Sequence, residues 1–151
     1  DHKVEKTYLA IVRGFCDAKG IIDTPVKNVE TGIYKDALTN YATLATYEWD
    51  MPVKPYDKSR YSLIELSPKT GRMHQLRKHM NKISHPIIGD HQYGDRNYNK
   101  LFTTKFGHDK LLLHANQLKF VHPFTKEEMN IKGGIPEYWN KVLKEFGWNI
   151  S

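Results

Sequence analysis

A single cysteine, Cys16, stands in a chain of 151 residues, so no disulfide can form within it. There is no basic segment followed by an apolar stretch at the start, and no apolar run of the roughly 20 residues that a bilayer-crossing helix needs. These absences fit a protein of the reducing cytoplasm. CxxC pairs are missing too, and the histidines are poorly spaced for a metal. His74 and His79 are five positions apart, which sets them about 140° apart round a helix, whereas the zinc motif HExxH needs i and i+4 on one face. GxSxG, GxGxxG and GxxxxGK[ST] do not occur, which counts against a serine hydrolase of the elbow type, a dinucleotide fold and a P-loop. Cys16 has no base near it in sequence to activate it as a nucleophile.

What is present is the make-up of a folded chain of one-domain size. Hydrophobic residues make up 39%, aromatic residues 12% and charged residues 26%, too apolar for a disordered polymer. The formal net charge is +6, and an anionic partner such as nucleic acid suits that sign. Scattered lysines on a solvated surface account for the same excess, so charge alone decides nothing.

The segment Val4 to Val12, "VEKTYLAIV", alternates with Tyr8, Ala10 and Val12 on one face and predicts a strand closed by Gly14. Residues Asp17 to Asn40 are polar and interrupted by Gly20, Pro25 and Gly32, which predicts short extended pieces and loops. "YATLATYEW", Tyr41 to Trp49, is a second strand, followed by a loop at "MPVKPYD" where two prolines remove ladder donors. "RYSLIELS", Arg60 to Ser67, has a nearly continuous apolar centre, which predicts burial on both faces. Pro68 ends it.

Beyond Gly71, the residues Met73, Leu76, Met80 and Ile83 fall at helical spacing, so a strand, a tight turn and an amphipathic helix follow one another. Gly71 is expected to supply a backbone conformation costly for other residues. Ser84 to Asp95 reads as an ordered loop, and Asn97 to Lys110 as a polar surface insertion with some helix. Lys110 to Pro123 reads as two strand-like pieces and Glu127 to Gly133 as one more. Trp139, Val142, Leu143 and Phe146, with Pro136 before and Gly147 after, predict a closing helix. The fold class expected is α+β: a mixed, largely antiparallel sheet with flanking helices.

The stretch Lys69 to Met80, "KTGRMHQLRKHM", concentrates the chemistry. His74, Arg77, Lys78 and Asn81 lie on one polar side of the expected helix, opposite Met73, Leu76 and Met80. A solvated face explains that pattern by itself. Entry from a buried strand, however, places the first turn near a sheet edge where pockets form, and His74 and Gln75 are weak choices for helix propensity alone.

Three ordered segments resemble a known family. "EKTYLAIVRG", "ELSPKTGRMHQLRKHM" with "SHPIIGDHQYGD", and "LLLHANQLKFVHPFT" are similar to the motifs of the large-subunit-rRNA branch of the pseudouridine synthases, over Glu5 to Thr125. The wording of "TGRMHQLRKH", "HPIIGD" and "LKEFGWN" is closest to a branch member that modifies tRNA, at a uridine where the T stem adjoins the acceptor stem.

The resemblance implies an RNA-modifying isomerase with RNA, specifically tRNA, as partner, and with no cofactor or metal. Arg77 would form a salt bridge with the catalytic aspartate, because a partly buried carboxylate needs an opposite charge to stay ionised and nucleophilic. Tyr8 would stack on the uracil and take part in the closing proton transfer, and stacking suits a base flipped from its helix. Leu76 would pack beneath the base, while Gly71, Arg72, His74 and Gln75 would shape the turn and its hydrogen bonds. Arg13, Lys69, Arg72, Lys78 and Lys82 are candidate phosphate contacts.

One departure matters. The family's nucleophile belongs to an R-L-D-x-x-T-S-G segment upstream of the K-x-Y motif, and no such segment occurs in these 151 residues. Asp90 and Asp95 do not match its context. The chain is therefore expected to be the C-terminal portion of a single catalytic domain, inactive by itself because Arg77 would have no carboxylate partner. A catalytically silent RNA-binding module of the same fold is the alternative expectation.

Overall fold

The computed structural model describes residues 4–150. Six strands form one sheet: β1 (Glu5–Arg13), β2 (Lys19–Asp23), β5 (Leu38–Trp49), β6 (Ser59–Pro68), β7 (Leu113–Val121) and β8 (Glu128–Lys132), in the spatial order β2-β5-β6-β1-β7-β8. Every pairing is antiparallel, so the mixed component expected from sequence has no counterpart among the described residues. Two short strands, β3 (Val26–Lys27) and β4 (Tyr34–Lys35), make a separate hairpin. Three helices flank the sheet: α1 (Gln75–Lys82), α2 (Arg96–Phe106) and α3 (Asn140–Phe146), the last led in by a 3-10 turn at Glu137–Trp139. None is long and apolar enough to cross a membrane.

The near-continuous apolar run of β6 has the expected cause, since successive side chains enter two different cores. Tyr61 and Leu63, with Leu9 and Ile11 of β1, face an aromatic cluster that includes Trp49, Phe102, Trp139 and Phe146. Ile64 and Leu66, with Ala10 and Val12, face a second cluster built with Leu76 and Met80 of α1. Tyr8 packs against the edge of this second cluster, directly opposite Leu66 across the strand pair.

The segment from Asn97 to Lys110 is not a surface insertion. Its residues 97–106 belong to α2, which buries Tyr98, Phe102 and Phe106 in the aromatic core, with Phe106 stacked on Trp49 at 5.6 Å between ring centroids. Threonines and lysines between those rings give the segment its polar average. Its start is capped by Asp95, whose carboxylate accepts from the backbone N–H of Asn97 and Tyr98 at 2.9 and 3.1 Å. The two strand-like pieces expected from 110 to 123 are one strand. The pairing of β1 with β7 steps from Thr7↔Gln117 to Tyr8↔Ala115, leaving Asn116 as an extra residue that interrupts the alternation.

Candidate active-site cleft

β6 leaves the sheet at Pro68 and the chain turns through Lys69 to His74 before α1 begins at Gln75. Gln75 holds this turn in place. Its Oε1 accepts from the Thr70 hydroxyl at 2.6 Å and from the Arg72 N–H at 3.1 Å, while its Nε2 donates to the Leu38 carbonyl at 3.0 Å and to the Thr39 hydroxyl at 2.9 Å. Both donors and both lone-pair directions of the amide are used, which is what a buried amide requires.

The left-handed residue of the turn is His74, at φ 51° and ψ 31°, and not the glycine. Gly71 has no positive φ, and a β-carbon there would meet nothing within 4 Å. Its lack of a side chain therefore keeps space open and is not required by the local backbone. The helix starts only at Gln75, so Met73 precedes it.

A cleft of about 520 Å³ opens between this turn and β1. Tyr8 and Lys6 line it from the strand, and Leu76 and Arg77 from the helix. Gly71, Arg72, His74 and Gln75 contribute from the turn and the first helical position. All seven residues that the sequence singled out thus border one space. Two of them are anchored elsewhere: Gln75 by the four hydrogen bonds above, and Arg72 by donation from Nε to the Asp36 carbonyl at 2.8 Å.

Arg77 has a carboxylate partner within the chain, contrary to the sequence expectation. Its Nε donates to Asp90 Oδ2 at 3.0 Å and its Nη2 to Oδ1 at 2.9 Å, a bidentate pair in which the Asp90 side chain is 1% exposed. Asp90 Oδ1 also accepts from the N–H groups of Gln92 and Tyr93 at 3.1 and 3.0 Å. Burial pushes the carboxyl of Asp90 up, but the hydrogen bonds from Arg77, Tyr93 and Gln92 and the Arg77 charge together outweigh it and hold it below its ordinary value. The bond to Asp90 in turn raises Arg77. The Tyr93 ring lies 5.1 Å from the guanidinium carbon, and its hydroxyl is 3.1 Å from Nδ1 of His74. Partial burial, with Arg77 and Lys78 nearby, lowers His74.

The loop carrying Asp90 is ordered for a visible reason. Residues 86–88 run along the end of β1, with Arg13 N–H to Pro86 O at 3.0 Å and Ile88 N–H to Ile11 O at 2.9 Å. Asp95 closes the loop on Arg13, 2.8 Å from Nη1, and Arg13 also donates to the Ser84 carbonyl at 2.9 Å. Arg13 is thereby committed to the fold and is not a free phosphate contact. Lys78 donates to the Lys27 carbonyl of the β3–β4 hairpin at 2.6 Å. Lys69 lines the cleft.

The model of the RNA pseudouridylate synthase family matches residues 1–82, which hold both Tyr8 and Arg77. The chain belongs to that family. It is 43% identical over 160 residues to the tRNA pseudouridine synthase C of Vibrio parahaemolyticus, covering 99% of this chain and 65% of that protein. Against the enzyme of the same name from Haemophilus influenzae it is 41% identical, over 96% of this chain and 65% of the other. The chain thus spans just under two thirds of the curated relatives it matches. Among solved structures, human RNA pseudouridylate synthase domain containing 4 superposes with a TM-score of 0.70 at 26% identity, over 97% of this chain and 64% of that one.

Reasoning from sequence missed two residues that the fold brings to the family's helix, Asp90 and Tyr93. Both were visible only as parts of a loop, thirteen and sixteen residues beyond Arg77, and no local spacing joins a loop carboxylate to a helical arginine.

Proposed function

We propose that the whole protein isomerises a uridine of tRNA, where the T stem adjoins the acceptor stem, to pseudouridine, and that residues 1–151 form the C-terminal portion of its catalytic domain. The observation that carries this reading is the placement of Tyr8 and Arg77, from two separate family motifs, on one cleft of about 520 Å³, next to helix α1. In this reaction the bond between uracil nitrogen and ribose breaks, the ring turns in the pocket, and a ring carbon joins the same ribose carbon. Tyr8 offers a ring face for the flipped base and a hydroxyl for the proton that must leave that carbon. Leu76, 7% exposed, gives the base an apolar floor. Lys6, Lys69 and Arg72 at the rim supply the positive charge that an RNA backbone needs.

The nucleophile in this reading is the aspartate of an R-L-D segment, which the sequence of 151 residues does not contain. Asp90 does not replace it, because its carboxylate is 1% exposed, with Oδ1 taking three donors and Oδ2 gripped by Arg77 Nε, and so is closed off from a substrate. The 151-residue polypeptide is accordingly expected to be inactive alone.

The test is a tRNA transcript tritiated at the uracil carbon that joins the ribose, incubated with the full-length enzyme. Tritium release and a pseudouridine at the stem junction support the reading. Binding of the transcript with no pseudouridine in it would instead establish a silent RNA-binding module.

A further inference from the structure

We infer that Asp90 is a positioning residue for Arg77: it fixes one edge of the guanidinium so that the remaining Nη1 corner is presented to an acidic group in the cleft. A guanidinium is a planar fork with two edges able to grip a carboxylate. Asp90 takes the Nε–Nη2 edge. Nη1 has no hydrogen-bond partner among the described residues, on a side chain that lines the cleft. The arginine therefore has one committed edge and one available corner.

Asp90 is itself immobilised from three directions. Backbone N–H groups of Gln92 and Tyr93 hold Oδ1. Asn99 of α2, 5% exposed, holds the backbone: its Nδ2 donates to the Asp90 carbonyl at 2.9 Å and its Oδ1 accepts from the Gly89 N–H at 2.8 Å. Gly89 sits at φ 86° with its α-carbon so close to the Lys110 carbonyl that no side chain fits. Tyr93, beside Asp90, lies over the guanidinium and limits its movement out of plane. A core helix thus transmits its rigidity through Asn99 and Asp90 to a cleft residue, the kind of supporting shell that holds a site in working geometry.

The charge balance points the same way. The Arg77–Asp90 pair is close to neutral as a unit, so what it offers a second carboxylate is a directed donor more than a bare positive charge. Lysine at position 77 would carry the charge but could not bind Asp90 side-on and still present a second donor in the same plane.

This inference rests on the proposed isomerase reading for what Arg77 serves, and its test separates the two. The full-length enzyme carrying Asp90→Asn is compared with wild type for kcat and KM on the tRNA transcript. The Nε–H of Arg77 is followed in both by NMR with labelled arginine. Asparagine keeps an oxygen for Gln92 and Tyr93 but turns an NH2 toward Nε. The expected result is a kcat lower by about tenfold to a hundredfold with KM within about threefold, together with loss of a slowly exchanging Arg77 Nε–H. A variant with kcat within about threefold of wild type overturns the inference. So does a wild-type Arg77 Nε–H that exchanges as fast as free arginine, a reading available even if the variant does not fold. Wild-type enzyme that retains the protected Nε–H yet makes no pseudouridine would overturn the function reading and leave the clamp standing.

Discussion

The hydroxyl of Thr39 lies 2.8 Å from Nδ1 of the fully buried His79, and the other ring nitrogen of that histidine lies 2.8 Å from the Thr24 carbonyl. A carbonyl only accepts, so Nε2 carries the proton and Nδ1 accepts from Thr39. Gln75 donates to the same hydroxyl, which makes a chain of hydrogen bonds from the cleft turn to the start of the β3–β4 hairpin.

The first prediction follows from the charge state that chain requires. Burial, the strongest influence, lowers His79 below its ordinary value, and neither the Thr24 carbonyl nor Asp23 restores it. Between the folded and unfolded values the unfolded chain binds more protons, so stability rises with pH there. The contribution is complete above the unfolded value of about 6.5 and is lost as pH falls through the folded one. Urea unfolding between pH 5 and pH 8, as an approximate working range, should show this loss in wild type and a flatter profile in His79→Gln. Equal slopes would remove His79 as the cause.

Gln75 makes a second case. Gln75→Ala removes the donor that reaches the buried Thr39 hydroxyl, at a cost of about 1–3 kcal/mol for a buried group left unpaired, and frees the half-buried Thr70 hydroxyl and the Arg72 N–H at a smaller cost because water reaches them. Gln75→Glu keeps the shape but replaces the two donors with an acceptor facing the Leu38 carbonyl. Its defect should ease on acidification, when a protonated carboxyl can donate again. Chemical denaturation at two pH values measures both, and a Gln75→Glu deficit that does not depend on pH would contradict the assignment.

The cysteine gives a third. Burial is the main reason that the thiol of Cys16 is pushed up to about 11, with Asp17 adding to it and Ser62 opposing it. At pH near 8 an ordinary thiol with a pKa of about 8.5 is partly thiolate, so Cys16 should alkylate on the order of a hundredfold more slowly than it does in the denatured chain. Similar rates in the two states would show that the site opens readily.

Helix α2 shows where the sequence was and was not legible. β6 declared itself because a run of apolar residues on consecutive positions has one simple explanation, burial on both faces, and α3 because Pro136, Gly147 and four apolar residues agreed. In α2 the buried rings Tyr98, Phe102 and Phe106 do sit at i, i+4 and i+8, but lysines, threonines and asparagines between them raised the average polarity of the segment and hid the stripe. Tyr8 and Arg77 were legible through their motifs. The Asp90 clamp was not, because its partners meet only after the loop folds back along β1. Gly71 drew attention by its type, although the strained backbone belongs to His74.

The core role of α2 can be checked directly. Phe102 is 3% exposed among Trp49, Tyr61 and Phe146, so Phe102→Ala should destabilise by about 3–5 kcal/mol. Thr104→Ala on the exposed side should stay within about 0.5 kcal/mol of wild type. Thermal unfolding of the two variants distinguishes a core helix from an insertion, for which both changes would be mild.

Tyr8 carries the most informative substitution for the proposed reaction, because its ring and its hydroxyl are assigned separate work. The strand holds the residue by pairing with Leu66 on one side and Ala115 on the other, with the register step immediately before it, so Tyr8→Phe should leave the fold and the stacking face intact. If the hydroxyl moves the proton from the ring carbon, Tyr8→Phe in the full-length enzyme should lower kcat by about a hundredfold or more while RNA affinity holds. Tyr8→Ala should in addition weaken binding, since stacking of one base on an aromatic ring is worth about 1–3 kcal/mol. Single-turnover rates and filter-binding constants for the two variants separate the contributions. A Tyr8→Phe enzyme with normal kcat would reduce the residue to a platform and transfer the proton step to another group bordering the cleft.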